Sequence, residues 1–345
     1  MKLTRMAAVV TSVVAAGALL AGCSGSPSSS SSSGSSDDPL AALVEKANAE
    51  GSLTVYASAA ESTIQDLLAA FNKQYPDIQT DYFRGAGTAL FNRFQSEAEA
   101  GTTAADVFMP TIQPSFITDH SDWFTKLDDD VLPGYSDWPA DFKTDYTVQT
   151  VVEEVTVLYN TNNVKNPPKS WEDVVASDQY KGKIVLLDPT SSPSYMSWYE
   201  IMRQKFGDDF LRKLAALDPV YVDTGATGAQ QVANGSMDLM LPAYPSHATA
   251  LIAQGAPLDM VTNLDPTQGI TTSVAITSGA PHPNAAALFA HWMTTKDAFN
   301  AYCSGGMFSA VIPGTDCQQL ASNYVQPIWD ISQAEKDQIV SLLGR

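Results

Sequence analysis

An alternation of short apolar runs with amphipathic segments constrains the fold of this chain more than any other feature. The apolar run 53–57 predicts a buried strand, and residues 79–83 and 106–109 predict two more. The segments between them, which end at Tyr75 and near Ala98, carry apolar residues at helical spacing. Because strands joined by crossover helices pair in parallel, this order predicts a parallel sheet covered by helices.

The same alternation starts again in the second half of the chain. Residues 183–187, 220–222 and 237–241 predict three strands of a second sheet. The long β-branched run 148–158 predicts a crossover strand between the sheets, and residues 271–276 predict the return. The sequence therefore predicts an α/β protein of two α/β lobes joined by two crossover strands. These crossovers assign residues 40–155 and 270–345 to lobe I and residues 156–269 to lobe II.

The first 22 residues have the pattern of a secretory signal. Leu20-Ala21-Gly22-Cys23, at the end of its apolar run, resembles the lipobox of bacterial lipoproteins, in which the cysteine is diacylated. We therefore expect a lipoprotein signal peptide at 1–22, a lipidated Cys23 and a serine-rich tether at 23–39. This arrangement would anchor the protein at the extracellular face of the cell membrane. The alternative is an ordinary secretion signal in which the cysteine has no special role.

Charge and cysteine usage narrow the choice of partners. The net charge of −19 argues against nucleic acid or an anionic membrane face as the partner. With Cys23 lipidated, Cys303 and Cys317 remain, and an oxidising compartment favours a disulfide between them. We expect this disulfide to be structural, because a redox pair usually has Cys-x-x-Cys spacing.

Short motifs spread over residues 50–310 indicate a family by their order and spacing. They are Gly51–Ser58, Phe71–Pro76, Arg84–Gly87, Ala105–Val107 and Leu158–Thr161, followed by Pro168–Asp173, Tyr180–Ile184 and Val222–Gly225. In this order they resemble the substrate-binding proteins of ABC importers, and most closely the branch with ferric-ion, thiamine, phosphonate and sugar-phosphate binding proteins. The resemblance implies a type II periplasmic-binding-protein fold with a ligand cleft between the lobes. It also implies a monomer without enzymatic activity or cofactor, which delivers a small solute to the transmembrane subunits of an ABC permease.

The candidate ligand-binding residues lie where the predicted strands end. Ligands of open α/β sheets bind beyond the carboxyl ends of the strands, where helix starts expose N–H groups that suit phosphate or carboxylate. The candidates are Ser58, Ala59, Arg84, Gly87, Thr88, Thr111, Ser191, Ser192, Thr224, Gly225 and Tyr244. The alternative role of the hydroxyl and glycine residues is helix capping, and that of Arg84 is a surface ion pair. Together they predict a cleft for a small, anionic solute.

Ferric iron is the alternative ligand, and hydrolysis is the alternative activity. Tyr244 stands where ferric-binding members of the resembled family carry adjacent metal-ligating tyrosines, but Pro245 follows it. Ala59 stands where such members often carry a histidine. We therefore predict no metal site, and Tyr244 is the candidate ligand in the iron alternative. The chain lacks the Gly-x-x-x-x-Gly-Lys, His-Glu-x-x-His and Gly-x-Ser-x-Gly motifs, which argues against an extracellular hydrolase on a similar scaffold.

Overall fold

The computed structural model describes residues 38–85, 88–110, 114–176, 178–303 and 308–345. The predicted signal peptide, Cys23, most of the tether, Gly87 and Thr111 lie outside these residues. The helices of the described residues are α1 (Pro39–Glu50), α2 (Glu61–Gln74), α3 (Thr88–Glu99), α4 (Pro114–Asp119), α5 (Trp171–Val175), α6 (Pro193–Phe206), α7 (Asp208–Ala216), α8 (Gly225–Ala233), α9 (Thr249–Ala253), α10 (Pro283–Trp292), α11 (Lys296–Tyr302) and α12 (Gln333–Leu342). The strands are β1 (Ser52–Ala57), β2 (Gln79–Arg84), β3 (Val107–Met109), β4 (Lys143–Thr144), β5 (Thr147–Glu154), β6 (Thr156–Asn160), β7 (Ile184–Leu187), β8 (Val220–Val222), β9 (Leu239–Ala243), β10 (Leu258–Val261), β11 (Gly269–Ile276), β12 (Ser309–Ala310) and β13 (Gln318–Gln319).

Lobe I is built on a sheet with the strand order β13-β12-β5-β11-β3-β1-β2, and β4 pairs with β5. β1 pairs in parallel with β2 and with β3, which confirms the parallel arrangement predicted from the sequence. The apolar stripe of α2, Ile64, Leu67, Leu68 and Phe71, is buried in the core of this lobe. The helices α10 and α11 contribute to the same core, so the chain returns to lobe I after the second crossover.

Lobe II is built on a five-stranded sheet with the order β10-β6-β9-β7-β8. β7 pairs in parallel with β8 and β9, whereas β6 is antiparallel to β9 and to β10. Helix α6 buries Trp198, Ile201 and Met202 in the core of this lobe. A second apolar cluster that includes Val232 of α8 covers further strand residues.

Both crossovers connect the carboxyl edges of the two sheets. β11 is antiparallel to β5 and to β3, so β5 runs in the same direction as β3 and leaves lobe I at its carboxyl edge. β6 starts beside the carboxyl end of β9, with Thr156 opposite Ala243. The return into lobe I begins at Gly269, opposite Glu154. The two carboxyl edges therefore meet at the crossovers, and a cleft between them is the expected ligand position.

The C-terminal segment differs from the sequence-based lobe assignment. Residues 270–345 were expected in lobe I, but α12 packs against α6 and α7 of lobe II. Ile331, Ile339 and Leu343 belong to the core of lobe II, and Ile328 donates its N–H to Ser197 Oγ at 2.8 Å. An amphipathic pattern shows that a helix buries one face but not which lobe supplies the surface, so this part of the assignment is wrong.

Two further features concern stability and the membrane. Cys303 and Cys317 form a disulfide with a Cα–Cα distance of 5.2 Å, as the cysteine count predicted. Among the described residues, no helix is both long and apolar enough to cross a membrane.

Candidate functional site

The edge of lobe I presents a helix start and a cation. Helix α2 begins after Ala60 without a side-chain cap, so its first N–H groups lack the acceptor that a capping residue supplies. Arg84, at the end of β2, is exposed and donates from Nε to the carbonyl oxygen of Ala59 at 3.3 Å. Over the described ranges no ion pair of Arg84 is found, so the surface ion pair considered from the sequence is absent there. Ser58 is half-buried, and its N–H donates to Met109.

The glycine-rich turn after β2 brings α3 close to the sheet edge. Gly85 donates its N–H to Ala57, and a Cβ at Gly85 would meet the backbone of Leu90 at 2.9 Å. A side chain at residue 85 would therefore push α3 away. Thr88 is the first residue of α3, whereas Gly87 and Thr111 lie in the undescribed stretches 86–87 and 111–113.

The hydroxyl groups at the edge of lobe II already have partners within their own loops. Ser192 caps α6 and lies 2.9 Å from the hydroxyl of Ser194, and Thr224 caps α8 and lies 2.8 Å from the hydroxyl of Thr227. The exposed Ser191 donates from Oγ to the carbonyl oxygen of Asp188 at 2.8 Å. These contacts give the three hydroxyl groups a local structural role, which was the alternative considered from the sequence.

Gly225 is needed because a histidine ring packs directly against it. A Cβ at Gly225 would lie 2.3 Å from the ring of His247, and the Gly225 N–H donates to the hydroxyl of Tyr195. His247 Nδ1 accepts the N–H of Tyr244 at 3.2 Å. Burial lowers the pKa of His247 to about 4, so the ring is neutral at pH 7.

Tyr244 is fully buried behind these loops and does not present its hydroxyl at an open edge. Its ring stacks on that of Tyr195 with centroids 6.3 Å apart, and its hydroxyl accepts from Gln268 Nε2 at 3.4 Å. Burial raises the pKa of Tyr244 well above its ordinary value, so the hydroxyl keeps its proton. Gln268 lies just before β11 and also bonds Ser197, so it ties the return crossover to α6.

Glu153 connects the two lobes at the first crossover. It is the next-to-last residue of β5 and is 5% exposed. Its carboxylate accepts the backbone N–H of Ser246 and, at 3.1 Å, the Ser246 hydroxyl, both from the loop after β9 in lobe II. Burial raises the pKa of Glu153 to about 7, and the two bonds from Ser246 oppose that rise.

Sequence reasoning did not select four of these residues, Glu153, Tyr195, His247 and Gln268. For Glu153 a signal exists, because a carboxylate ends an apolar crossover run that is otherwise buried. Tyr195, His247 and Gln268 lie in segments whose pattern predicts only a helix or a loop, and nothing local indicates that they meet. In the described part of the chain, no three His, Cys, Asp or Glu side chains are placed to hold a metal ion.

Comparisons with known proteins give the family and the fold. A model of the bacterial extracellular solute-binding protein family matches residues 66–326. An uncharacterized protein of Haemophilus influenzae is 25% identical over 292 residues, which cover 81% of this chain and 83% of that protein. The substrate-binding protein of an ABC transporter from Agrobacterium tumefaciens has a TM-score of 0.68 at 17% identity, covering 85% of this chain and 93% of that one. Iron-bound HitA from Pseudomonas aeruginosa has a TM-score of 0.60 at 18% identity, covering 85% and 98%.

The two solved structures share the two-lobed fold, which confirms the type II periplasmic-binding-protein architecture. The family match spans most of the chain and agrees with the motifs found along the sequence. Proteins of this kind bind solutes outside the cytoplasm and are not enzymes. The chain therefore belongs to the bacterial extracellular solute-binding protein family.

Proposed function

We propose that this protein is the solute-binding component of an ABC importer and that it binds a small solute with an anionic group in the interlobe cleft. The observation that carries the proposal is the edge of lobe I, where Arg84 lies beside the uncapped start of α2. A helix start and a guanidinium group both attract phosphate, phosphonate or carboxylate. Closure of lobe II over this edge would remove water and strengthen both interactions.

The proposed ligand contacts are distributed unevenly between the lobes. In lobe I they are Ser58, Ala59, Arg84, Gly87, Thr88 and Thr111, on the loops that follow β1, β2 and β3. In lobe II they are Ser191, Ser192 and Thr224, at or near the starts of α6 and α8, where backbone N–H groups supplement hydroxyls that are already bonded. Gly225 and Tyr244 support the loops around them, as the ring contact of Gly225 and the burial of Tyr244 indicate.

Ferric iron is the weaker alternative for this chain. Iron requires hard anionic donors such as tyrosinate, and Tyr244 is buried, hydrogen-bonded and held in its protonated form. Ala59 supplies no metal-binding side chain at the position where a histidine would be needed. HitA is iron-bound, but its likeness to this chain concerns the fold alone.

Arg84→Gln tests the anion proposal. We expect binding of the best phosphate, phosphonate or carboxylate solute from a defined panel, measured by calorimetry, to weaken about 10- to 100-fold, because charge-assisted hydrogen bonds contribute about 1.5–3 kcal/mol. The matched control is Arg212→Gln, which removes an exposed arginine paired with Asp209 on α7 of lobe II. Equal affinity of the Arg84→Gln variant and the wild type, or binding of ferric iron with a tyrosinate absorption band, would contradict the proposal.

The anchor and the assembly state complete the proposal. We infer that Cys23 is lipidated, because a lipobox-like sequence precedes a serine-rich tether, and that the protein is a monomer at the extracellular face of the membrane. Cys23→Ser should move the protein from the membrane fraction to the soluble fraction or leave it unprocessed. A variant that fractionates and migrates like the wild type argues against lipidation, and a dimer in light scattering argues against the monomer.

A further inference from the structure

A pocket of about 220 Å³, here called the hinge pocket, is lined by residues of both lobes. Lobe I contributes Glu154 of β5, Ser309 of β12 and Gln318 of β13, and lobe II contributes Met260 of β10. The other lining residues also belong to lobe II, and they are Thr156, Pro245, Thr249, Ile252, Thr262 and Asn263. Because the two lobes supply opposite walls, the volume of the hinge pocket depends on how the lobes are placed.

The strand orders show that the hinge pocket and the cleft lie on opposite sides of the crossovers. In lobe I, β12 and β13 lie on one side of β5, whereas β11, β3, β1 and β2 lie on the other. In lobe II, β10 lies on one side of β6, whereas β9, β7 and β8 lie on the other. The candidate ligand-binding residues follow β1, β2, β3, β7, β8 and β9, and none of the described ones lines the hinge pocket.

Each wall of the hinge pocket is attached to its own lobe. On the lobe I side, Glu154 accepts the Ser309 hydroxyl at 2.5 Å and the N–H of Ala321 at 3.3 Å, and β12 pairs with β5. On the lobe II side, the Thr249 hydroxyl donates to the carbonyl oxygen of Pro245 at 2.8 Å, and β10 pairs with β6 along its whole length. The two walls therefore move with their lobes.

Rotation of the lobes about the crossovers changes the cleft and the hinge pocket in opposite directions. The crossover strands lie between the two spaces, and hinge motions take place at such connections. When the carboxyl edges of the sheets approach each other on the cleft side, the lobes separate on the other side. Closure of the cleft therefore widens the hinge pocket, and opening of the cleft narrows it.

We propose that the hinge pocket controls lobe closure, because a group that fills it stabilises the closed form and so tightens solute binding. An occupant that fits the wide pocket better than the narrow one shifts the equilibrium by the difference in its affinities. The lining combines hydroxyl, amide and carboxylate groups with the apolar side chains of Pro245, Ile252 and Met260, which suits a small amphipathic molecule. The inference requires closure over a solute, but it does not depend on the charge of that solute.

Ile252→Trp and Thr262→Trp test the proposal by filling the hinge pocket with an indole ring. Both residues are exposed and line the pocket from lobe II, so the substitutions leave the core packing intact. The matched control is Val220→Trp, because Val220 and Ile252 are 37% and 36% exposed and Val220 begins β8 at the far edge of the lobe II sheet. In small-angle scattering without solute, the two pocket variants should have a smaller radius of gyration than the wild type and the control.

Calorimetry with inorganic phosphate, ethylphosphonate and glucose 6-phosphate provides a second measurement. If the closed form rises from about 10% of the free protein to about half, the affinity for a probe should increase about fivefold. The control should bind that probe like the wild type. Wild-type-like denaturation midpoints would show that the variants fold.

The outcomes separate this inference from the proposed function. An unchanged or larger radius of gyration in both pocket variants overturns the role of the hinge pocket, and so does an equal contraction in Val220→Trp. Contraction without tighter binding of a probe that the wild type binds would also overturn it. If none of the three probes binds the wild type, the anionic-solute proposal fails for these probes, and the radius of gyration still decides the role of the hinge pocket.

Discussion

The two edges that enclose the cleft are built in opposite ways. In lobe II, the hydroxyls of Ser192 and Thr224 cap their own helices and Tyr244 is buried. In lobe I, α2 starts without a side-chain cap and Arg84 is exposed. The polar groups of the lobe II edge are bonded within the lobe, whereas the lobe I edge leaves a helix start and a guanidinium group open. Under the proposed function, the solute therefore binds to lobe I first, and lobe II closes over it as a preformed surface.

The largest effect is expected at the junction of the edges, where Glu153→Gln should change the pH dependence of stability. The folded pKa of Glu153 is about 7 and its ordinary value is 4.5, so the folded state holds the proton more tightly than the unfolded state. Stability from this group is complete below pH 4.5 and is lost as the pH rises through 7. In the absence of solute, the free energy of unfolding of the variant should exceed that of the wild type by roughly 3 kcal/mol at pH 8. Near pH 4 the two free energies should be equal, and urea unfolding measures both.

His247 provides the internal control for that profile. Its folded pKa of about 4 lies below the ordinary 6.5, so its contribution is present above pH 6.5 and is lost as the pH falls through 4. The contributions of Glu153 and His247 to stability therefore change with pH in opposite directions. Because His247 is present in both proteins, the difference in stability between Glu153→Gln and the wild type reports the contribution of Glu153 alone. If the difference in stability between the variant and the wild type is the same at pH 4 and pH 8, burial does not raise the pKa of Glu153.

Gly225→Ala should test how tightly the edge of lobe II is packed. The added methyl group would lie 2.3 Å from the His247 ring, and overpacking of this kind costs about 1–3 kcal/mol. Gly279→Ala is the control, because a Cβ there has nothing within 4 Å. If the two variants have the same denaturation midpoint, the edge of lobe II can accommodate the added methyl group and is not closely packed at Gly225.

Thr224→Ala should reduce stability and weaken solute affinity only slightly, because the Thr224 hydroxyl is already bonded to Thr227. Loss of the cap of α8 should cost about 1 kcal/mol, because Thr224 accepts the N–H of Thr227. Arg84→Gln should show the reverse, a weaker affinity with stability within about 0.5 kcal/mol of the wild type. Unfolding curves and calorimetric titrations of both variants give this two-way comparison. A large affinity loss in Thr224→Ala would mean that its hydroxyl contacts the solute.

Ala60→Ser should make the edge of lobe I resemble that of lobe II. A serine at this position can cap α2 and should stabilise the protein by about 0.5–1 kcal/mol. The new hydroxyl would occupy the N–H groups that are proposed to face the anion, so affinity should fall about threefold or more. Ala60→Gly, which adds no acceptor, is the control. Unchanged affinity in a stabilised Ala60→Ser variant would remove the helix start from the binding site.

Much of the fold could be predicted because it depends on patterns along the chain. The spacing of Ile64, Leu67, Leu68 and Phe71 defines a helix face without reference to its partner. The length of the run 148–158 indicates a strand that continues from one sheet into the other. The position of α12 could not be predicted, since its apolar side can be covered by either lobe.

The positions of the candidate residues at the carboxyl ends of the strands could be predicted, but the contacts that each of them makes could not. Ser192 and Thr224 do start helices at a carboxyl edge, yet the hydroxyl positions of Ser194 and Thr227 decide whether they have spare capacity. Glu153 and Ser246 are 93 residues apart, so their contact depends on the packing of the two lobes. No local sequence pattern predicts it. The environment of Tyr244 likewise depends on a distant residue, because its hydroxyl bonds Gln268, which lies at the start of the return crossover.

The two ends of the described chain belong to different lobes. Near the first end, Glu50 of α1 accepts the N–H groups of Asn284 and Ala285 at the start of α10, which fixes α1 to lobe I. At the other end, Tyr221 of lobe II donates its hydroxyl proton to Leu343 after α12. Fluorescent dyes attached at the exposed positions Glu45 and Ser341 would therefore lie on different lobes. Energy transfer between the dyes would report motion of the lobes without a label inside the cleft.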